Sequence, residues 1–351
     1  MYTASYIKYC LNFRKPAGTS RGILQTKDAW FVCLEEIENP GIRGIGECPL
    51  LPGLSVDDTP EFEKLLQQLC EKVNKGENDP EDPIPGSPSI QFGFETAFMD
   101  LNSGGERILF PSAFTLGNKG IPINGLIWMG DKKEMLKQVH EKIEHGYSIL
   151  KLKVGAIDFQ EEFDLIKTIR SEYRENDLEI RLDANGAWEY DEAGEKLRML
   201  SEYSIHSLEQ PIKAGQMEEM AALCSKSPIP IALDEELSGV IGPDKKKALI
   251  ETIRPAYIIL KPGLLGGIQV SQDWIMMAEE LGIGWWVTSA LESNIGLNAI
   301  AQWTAILNTT MPQGLGTGSL YTNNIPSPLQ VIKDRLFYQP EVAWDIEPIS
   351  Y

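Results

Sequence analysis

From about residue 121 onward, apolar and polar positions alternate in a regular long period. Short apolar runs at 121–129, 148–155, 178–186, 204–211, 229–237, 256–263 and 284–293, with a last short one at 313–318, are separated by segments of helical spacing such as 159–174 and 268–281. Strand alternating with helix predicts a parallel sheet. Successive strands stay close to 27 residues apart, and about eight βα units in series is the arithmetic of a (β/α)8-type barrel. An open doubly wound sheet is the alternative, but no GxGxxG opens a helix after the first strand.

The first hundred residues have a different pattern. Residues 2–13, 22–37 and 42–48 read as strands rich in β-branched and aromatic side chains. Helical patterns follow at about 59–75 and 90–103, on either side of the polar, proline-rich loop NKGENDPEDPIPGSP. This predicts an α+β unit over 1–106 ahead of an α/β barrel over 107–328. The tail, 329–351, loses the βα rhythm and is expected to return strands to the N-terminal unit.

The formal charge of −19 argues against nucleic acid and against an anionic membrane surface as partners, since both need a basic footprint. It leaves room for a small anionic substrate, because lysines or a metal reverse the field inside one cleft. Cys10, Cys33, Cys48, Cys70 and Cys224 are odd in number and lack CxxC spacing, so they read as buried free thiols of a reducing compartment. With no signal-peptide pattern and no run of 18 apolar residues, a cytoplasmic protein is expected. Nothing in the sequence bears on the oligomeric state.

Candidate chemistry sits at the ends of five consecutive apolar runs. Lys153 precedes Val-Gly, Asp183 precedes Ala-Asn-Gly, Glu209 precedes Gln-Pro, Asp234 precedes Glu-Glu, and Lys261 precedes Pro-Gly. One charged residue at a strand end is ordinarily a solvated loop residue. Five in the order Lys, carboxylate, carboxylate, carboxylate, Lys at even spacing predict a shared barrel mouth. Strand alternation puts Lys151 on the same face as Lys153. Three converging carboxylates need a cation, and oxygen ligands favour a hard ion, Mg²⁺ or in its place Mn²⁺, over Zn²⁺. A second ammonium and the metal are expected to lower a lysine pKa towards neutrality. A lysine base could then remove the proton beside a metal-bound carboxylate, giving an enediolate, with the second lysine acting as an acid or a bystander cation.

The segments KLKVG, LDANGAW, LEQP, LDEEL and LKPG resemble the enolase superfamily, and within it the muconate-lactonizing-enzyme subgroup. That resemblance implies a capping domain at the N-terminus, completed by the C-terminal tail. It makes Asp183, Glu209 and Asp234 metal ligands, Lys153 the general base and Lys261 the opposite-face cation. Lys151 and Asn185 would support the site, and Glu235 would hydrogen-bond near Lys261. Members with a histidine base place it late in the barrel, whereas His140, His145 and His206 all lie earlier, and His206 reads as a packing residue. GTSRG, GECPLLPGLS, FETAFMDL, SALESNIGLNAIAQ and GLGTGSLYTNNI further resemble the o-succinylbenzoate synthases. These imply dehydration of a succinyl-hydroxycyclohexadiene carboxylate in menaquinone biosynthesis. Arg21 would contact substrate, while Ser289, Gly314, Gly316 and Thr317 would present a hydroxyl and backbone amides to a second carboxylate. The GLGTG run replaces the acidic DxD of dipeptide epimerases, whereas N-acylamino-acid racemases share nearly all these residues.

Two readings from other classes stand beside this one. Lys261 on the sixth barrel strand is also where Schiff-base aldolases place their lysine, but such an enzyme has no need of three converging carboxylates. A barrel retained only for binding is the non-catalytic alternative, and it would not be expected to keep every ionisable site residue.

Overall fold

The computed structural model describes residues 1–19, 22–307 and 309–350. The chain opens with an antiparallel meander of β1 (Tyr2–Thr19), β2 (Gly22–Glu36) and β3 (Arg43–Cys48), followed by α1 (Phe62–Asn74) and α2 (Pro88–Asn102). The apolar face of α1, with Leu66, Leu69, Cys70 and Val73, packs with Phe94 and Ala97 of α2 onto Val32, Leu34 and Cys48 of the sheet. The helix approaches closely enough to require glycine: a Cβ on Gly46 would lie 2.0 Å from the Gly93 carbonyl oxygen.

The α/β region continues with β4 (Ile121–Pro122), β5 (Gly125–Ile127), α3 (Lys132–Glu144), β6 (Ile149–Lys153), α4 (Phe159–Glu172), β7 (Glu179–Asp183), α5 (Tyr190–Leu200) and β8 (Ile205–Glu209). It then runs through α6 (Met217–Lys226), β9 (Ile231–Leu233), α7 (Pro243–Ile253), β10 (Tyr257–Leu260), α8 (Pro262–Leu265), α9 (Ile268–Glu280), β11 (Gly284–Val287) and α10 (Asn294–Ile306). Strands β5 to β11 form one seven-stranded sheet whose spatial order is the chain order, with every neighbouring pair parallel. Asp131, Asp158 and Ser293 cap the N-termini of α3, α4 and α10 by accepting from backbone amides. One apolar cluster, including Leu150, Leu152, Ile180, Leu182, Leu208 and Leu260, runs through the sheet and its helices.

The strand expected at 313–318 is not a regular strand. Two residues of it nevertheless bridge both sheet edges: Gly314 pairs in parallel with Thr288 and Gln313 with Ile123. Gly314 N donates to Val287 O (2.9 Å) and Asn124 N to Gln313 O (3.0 Å). A glycine-rich, non-alternating sequence makes these bonds with backbone alone, so no period-two pattern marks it.

The tail contains β12 (Leu329–Ile332) and β13 (Arg335–Tyr338), but this hairpin pairs with β4 and not with the N-terminal sheet. Contact with that sheet comes from the end of the tail and from the segment just before it. Trp344, Ile346 and Ile349 pack with Leu11 and Phe31, and residues 320–323 lie along the free edge of β1. There Arg14 N donates to Leu320 O (2.8 Å), Thr322 N to Asn12 O (2.9 Å) and Asn323 Nδ2 to Cys10 O (2.8 Å). All five thiols are free, but only Cys48 and Cys70 are buried; Cys10 lies exposed on a strand edge, contrary to expectation. No described helix is long and apolar enough to cross a membrane.

Candidate active site

Residues at the C-terminal ends of β6 to β10 converge as their spacing predicts. The parallel register puts Lys153 beside Asp183 and Asp183 beside Glu209. Lys151 Nζ bridges Asp183 Oδ2 (2.9 Å) and Glu209 Oε2 (2.7 Å), Lys153 Nζ reaches Asp183 Oδ2 (3.0 Å), and Lys261 pairs with Asp234. Asp183, Glu209 and Asp234 are all buried, none more than 4% exposed.

Among the protein's own groups, the carboxylates dominate the two innermost lysines. Burial alone would push Lys151 down, but Asp183, Glu209 and Asp234 together hold it above its ordinary range. Lys261 is likewise raised against burial, by Asp234, Glu235 and Glu209. Asp183 is held below the carboxylate range by Lys151, Lys153 and Lys261, despite burial. Glu209 goes the other way: burial, with repulsion from Asp183 and Asp234, pushes it up to about 8.

Three carboxylates on adjacent strands supply the all-oxygen donor set of a hard divalent ion. Among the described residues no three acidic groups are drawn together into a ready cage; the lysines hold them instead. The donor chemistry fits Mg²⁺.

Two residues shape the strand ends through backbone conformations rare outside glycine. Asn185 has φ 46° and Gln210 φ 42°, and Asn tolerates that region better than most residues. Asn185 Oδ1 accepts from Lys153 Nζ (2.7 Å) while its Nδ2 donates to Glu235 Oε1 (3.0 Å), which fixes the amide orientation. Gln210, missed in the sequence, is fully buried. Its Oε1 accepts from Asp234 N (3.1 Å), and its Nε2 donates to Glu236 Oε2 (3.1 Å), tying the β8 and β9 ends together. The only sequence signal was a polar residue between Glu209 and a proline.

A cavity of about 310 Å³ opens over this cluster. Lys151, Lys153, Asn185 and Lys261 line one side, and Thr288, Ser289, Gly314, Gly316 and Thr317 line the other. The N-terminal unit contributes Gly22, Ile23 and Leu24 from β2 and Leu51, Pro52 and Leu54 from the loop after β3. The three carboxylates are absent from the wall, because the lysines stand in front of them.

Two of the expected donors on the second side are already engaged. The Gly314 amide is spent on Val287 O, and Ser289 Oγ donates to Glu292 Oε2 (2.5 Å) while accepting from Leu291 N (3.0 Å). Gly314 is there for close approach, since a Cβ would lie 2.5 Å from Thr288 Cγ2. Arg21 lies outside the described residues. His206 is remote from the lysines, stacked on Tyr257 with centroids 5.2 Å apart, and burial lowers its pKa.

Known proteins share this architecture. The family model for enolase C-terminal domain-like proteins matches residues 134–338. The o-succinylbenzoate synthase of Desulfotalea psychrophila (strain LSv54 / DSM 12343) is 48% identical over 358 residues, covering 93% of this chain and 96% of that one. The crystal structure of MenC from Desulfotalea psychrophila LSv54 matches with a TM-score of 0.82 at 42% identity, covering 96% of this chain and 99% of that one. The dipeptide epimerase from Enterococcus faecalis V583, solved in complex with Mg and the dipeptide L-Leu-L-Tyr, shares the fold with a TM-score of 0.80 at 19% identity, over 97% of each chain.

Proposed function

Since the chain belongs to the enolase superfamily, in its muconate-lactonizing-enzyme subgroup, we propose that it is a carbon–oxygen lyase with o-succinylbenzoate synthase activity. It dehydrates 2-succinyl-6-hydroxy-2,4-cyclohexadiene-1-carboxylate to 2-succinylbenzoate, a step of menaquinone biosynthesis. The observation that carries this reading is near-half identity to an o-succinylbenzoate synthase along almost the whole chain. The lysines facing the cavity support it as chemistry.

In this reading residues 1–106 are a capping domain and residues 107–328 a closed (β/α)8 barrel, in which Gln313 and Gly314 stand for the eighth strand. Residues 329–351 are the tail that completes the cap. Asp183, Glu209 and Asp234 would hold Mg²⁺, which when bound would supply Lewis-acid stabilisation of the charge developing on the substrate carboxylate.

Lys153 takes the proton from the carbon bearing that carboxylate. It then returns a proton to the departing hydroxyl, so the C–H and C–O bonds break, water leaves and the ring becomes aromatic. Asn185 Oδ1 aims the Lys153 amine, and Glu235 prevents the amide from flipping. Lys261, across the cavity floor, stabilises the enediolate by its charge. Lys151 spaces Asp183 from Glu209. Ser289, Gly314, Gly316 and Thr317 belong to the side that receives the succinyl group, and Arg21 is taken as a substrate contact from the capping domain.

The test follows the ultraviolet absorbance of the cyclohexadiene substrate with Mg²⁺ and with excess chelator, beside an N-acylamino-acid racemisation assay. Metal-dependent loss of absorbance with slow or absent racemisation is expected. Metal-dependent racemisation without that loss would replace the synthase by a racemase.

A further inference from the structure

Behind the second side of the cavity lies a charged cluster that the proposed chemistry does not use. Lys27 of β2, Glu47 of β3 and Glu292, in the loop after β11, are each at most 1% exposed, and none lines the cavity. Lys27 Nζ stands 3.9 Å from Glu47 Oε1. Neither Lys27 Nζ nor Glu292 Oε1 has a hydrogen-bond partner among the described residues. The other carboxylate oxygens are occupied. Glu47 accepts from Ser293 N (2.9 Å), Ser293 Oγ (2.6 Å) and Gly296 N (2.9 Å). Glu292 Oε2 accepts from Ser289 Oγ and from Ala290 N (2.8 Å). Gly296 lets α10 come this close, since a Cβ there would lie 2.8 Å from Glu292 Cγ and 2.9 Å from Glu47 Oε2.

The loop held by this cluster is strained. Leu291, whose side chain faces the cavity, has φ 64°, a conformation that a branched residue keeps only when its surroundings impose it. Its amide donates to Ser289 Oγ, and its carbonyl accepts from Tyr321 Oη (2.7 Å).

A buried ammonium without a hydrogen bond is costly, and for packing alone an apolar side chain would do better. What the charge supplies is compensation for two buried carboxylates. Burial pushes Lys27 down and Glu292 up, while the two glutamates oppose the shift of Lys27 and Lys27 opposes that of Glu292. An ionised Glu292 is acceptor-only, so the Ser289 hydroxyl must turn its proton away from the cavity.

We propose that Glu292, buried beside the Lys27–Glu47 pair, is a positioning residue that sets Ser289 and Leu291 for binding the part of the substrate remote from the reacting carbon. The N-terminal sheet thus sets affinity through the cavity wall as well as through the loops that overhang it. This rests on the functional reading above.

The test compares Lys27→Met, Glu292→Gln and the double variant for KM, kcat and melting temperature. Hydrogen exchange of the amides in 289–293 is measured alongside. Each single variant is expected to raise KM about tenfold with kcat within about threefold, the pattern of lost uniform binding, and to speed exchange in 289–293. In the double variant no unpaired ammonium faces the amide at position 292, whose carbonyl can serve Ser289 and Ala290, but Glu47 keeps its buried charge, so KM is expected to rise by less than the two single effects multiplied together. Altered melting temperatures with KM and exchange unchanged would overturn the proposal and leave a merely structural cluster. A wild-type protein without dehydration activity would sink the functional reading; exchange alone then decides, and unchanged protection in both single variants overturns the positioning role.

Discussion

On the side of the cavity built by β6 to β10, each functional side chain is held by a side chain from a neighbouring strand: Lys151 by Asp183 and Glu209, Lys153 by Asn185, Lys261 by Asp234. On the facing side, built by 288–293 and 313–317, the holding groups are backbone amides and carbonyls, the local side chain of Glu292, and residues more than 200 positions away such as Glu47. The first side is complete within one sheet, while the second is assembled from three parts of the chain. In the proposed function, chemistry belongs to the side that does not depend on the N-terminal unit, and substrate fit to the side that does.

The comparison breaks most visibly if the lysine side is not where rate resides. Lys153→Ala is expected to lower kcat by about 10⁴, the upper end for a lost general acid–base group. Lys261→Ala should cost about 10²–10³, as for one lost electrostatic stabiliser. Steady-state rates of both variants, with equal residual activity, would contradict the division of roles. Gly314→Ala tests the facing side: its methyl would press on Thr288, so a loss of about 1–3 kcal/mol in stability is expected from overpacking, with KM raised more than kcat is lowered. Denaturant unfolding and kinetics together read this.

The smallest effect lies farthest from the cavity. Asp100 is buried in α2, where its carboxylate accepts from Ile45 N (2.9 Å) and Arg107 N (2.6 Å), and burial pushes it up to about 6. A raised folded-state pKa contributes stability that is fully present below the ordinary value near 3.8 and is lost as pH rises through about 6. Asp100→Asn should flatten that part of the melting-temperature profile between about pH 4 and 7, with a general cost of about 1–2 kcal/mol for a mismatched acceptor. If the N-terminal unit only sets fit, kcat should not follow.

The lysine side was legible because its signals are local. Each apolar run ends in one charge, strand alternation assigns the face, and even spacing implies convergence. The carboxylate contacts of Lys151 and Lys261, which raise both against burial, were not legible from spacing alone. The facing side carried no such pattern: QGLGTG bridges two strands with backbone groups that no sequence period encodes. Ser289 was singled out as a donor, yet its hydroxyl is committed to Glu292, a residue that read only as part of a family-like run. Lys27 was invisible for a similar reason. A lysine in a three-stranded meander is usually a solvated face, and its burial depends on Glu47 and on a loop 265 residues further on. Asn185 and Glu235 were anticipated as supports through the resemblance, whereas Gln210, which joins the β8 and β9 ends, was not.

The edge of β1 has a consequence for how the protein is made. In a chain emerging N-terminus first, β5 to β11 can pair in the order they appear, each with a partner already present. The free edge of β1 must wait for residues 320–323, almost the whole length of the chain later. Until then the Cys10–Arg14 stretch of this strand presents unpaired amides and carbonyls, a template for pairing with another chain. Nascent or truncated forms ending before residue 320 should therefore be the ones that aggregate, and the segment from Leu320 onward acts as the protein's own guard against that outcome.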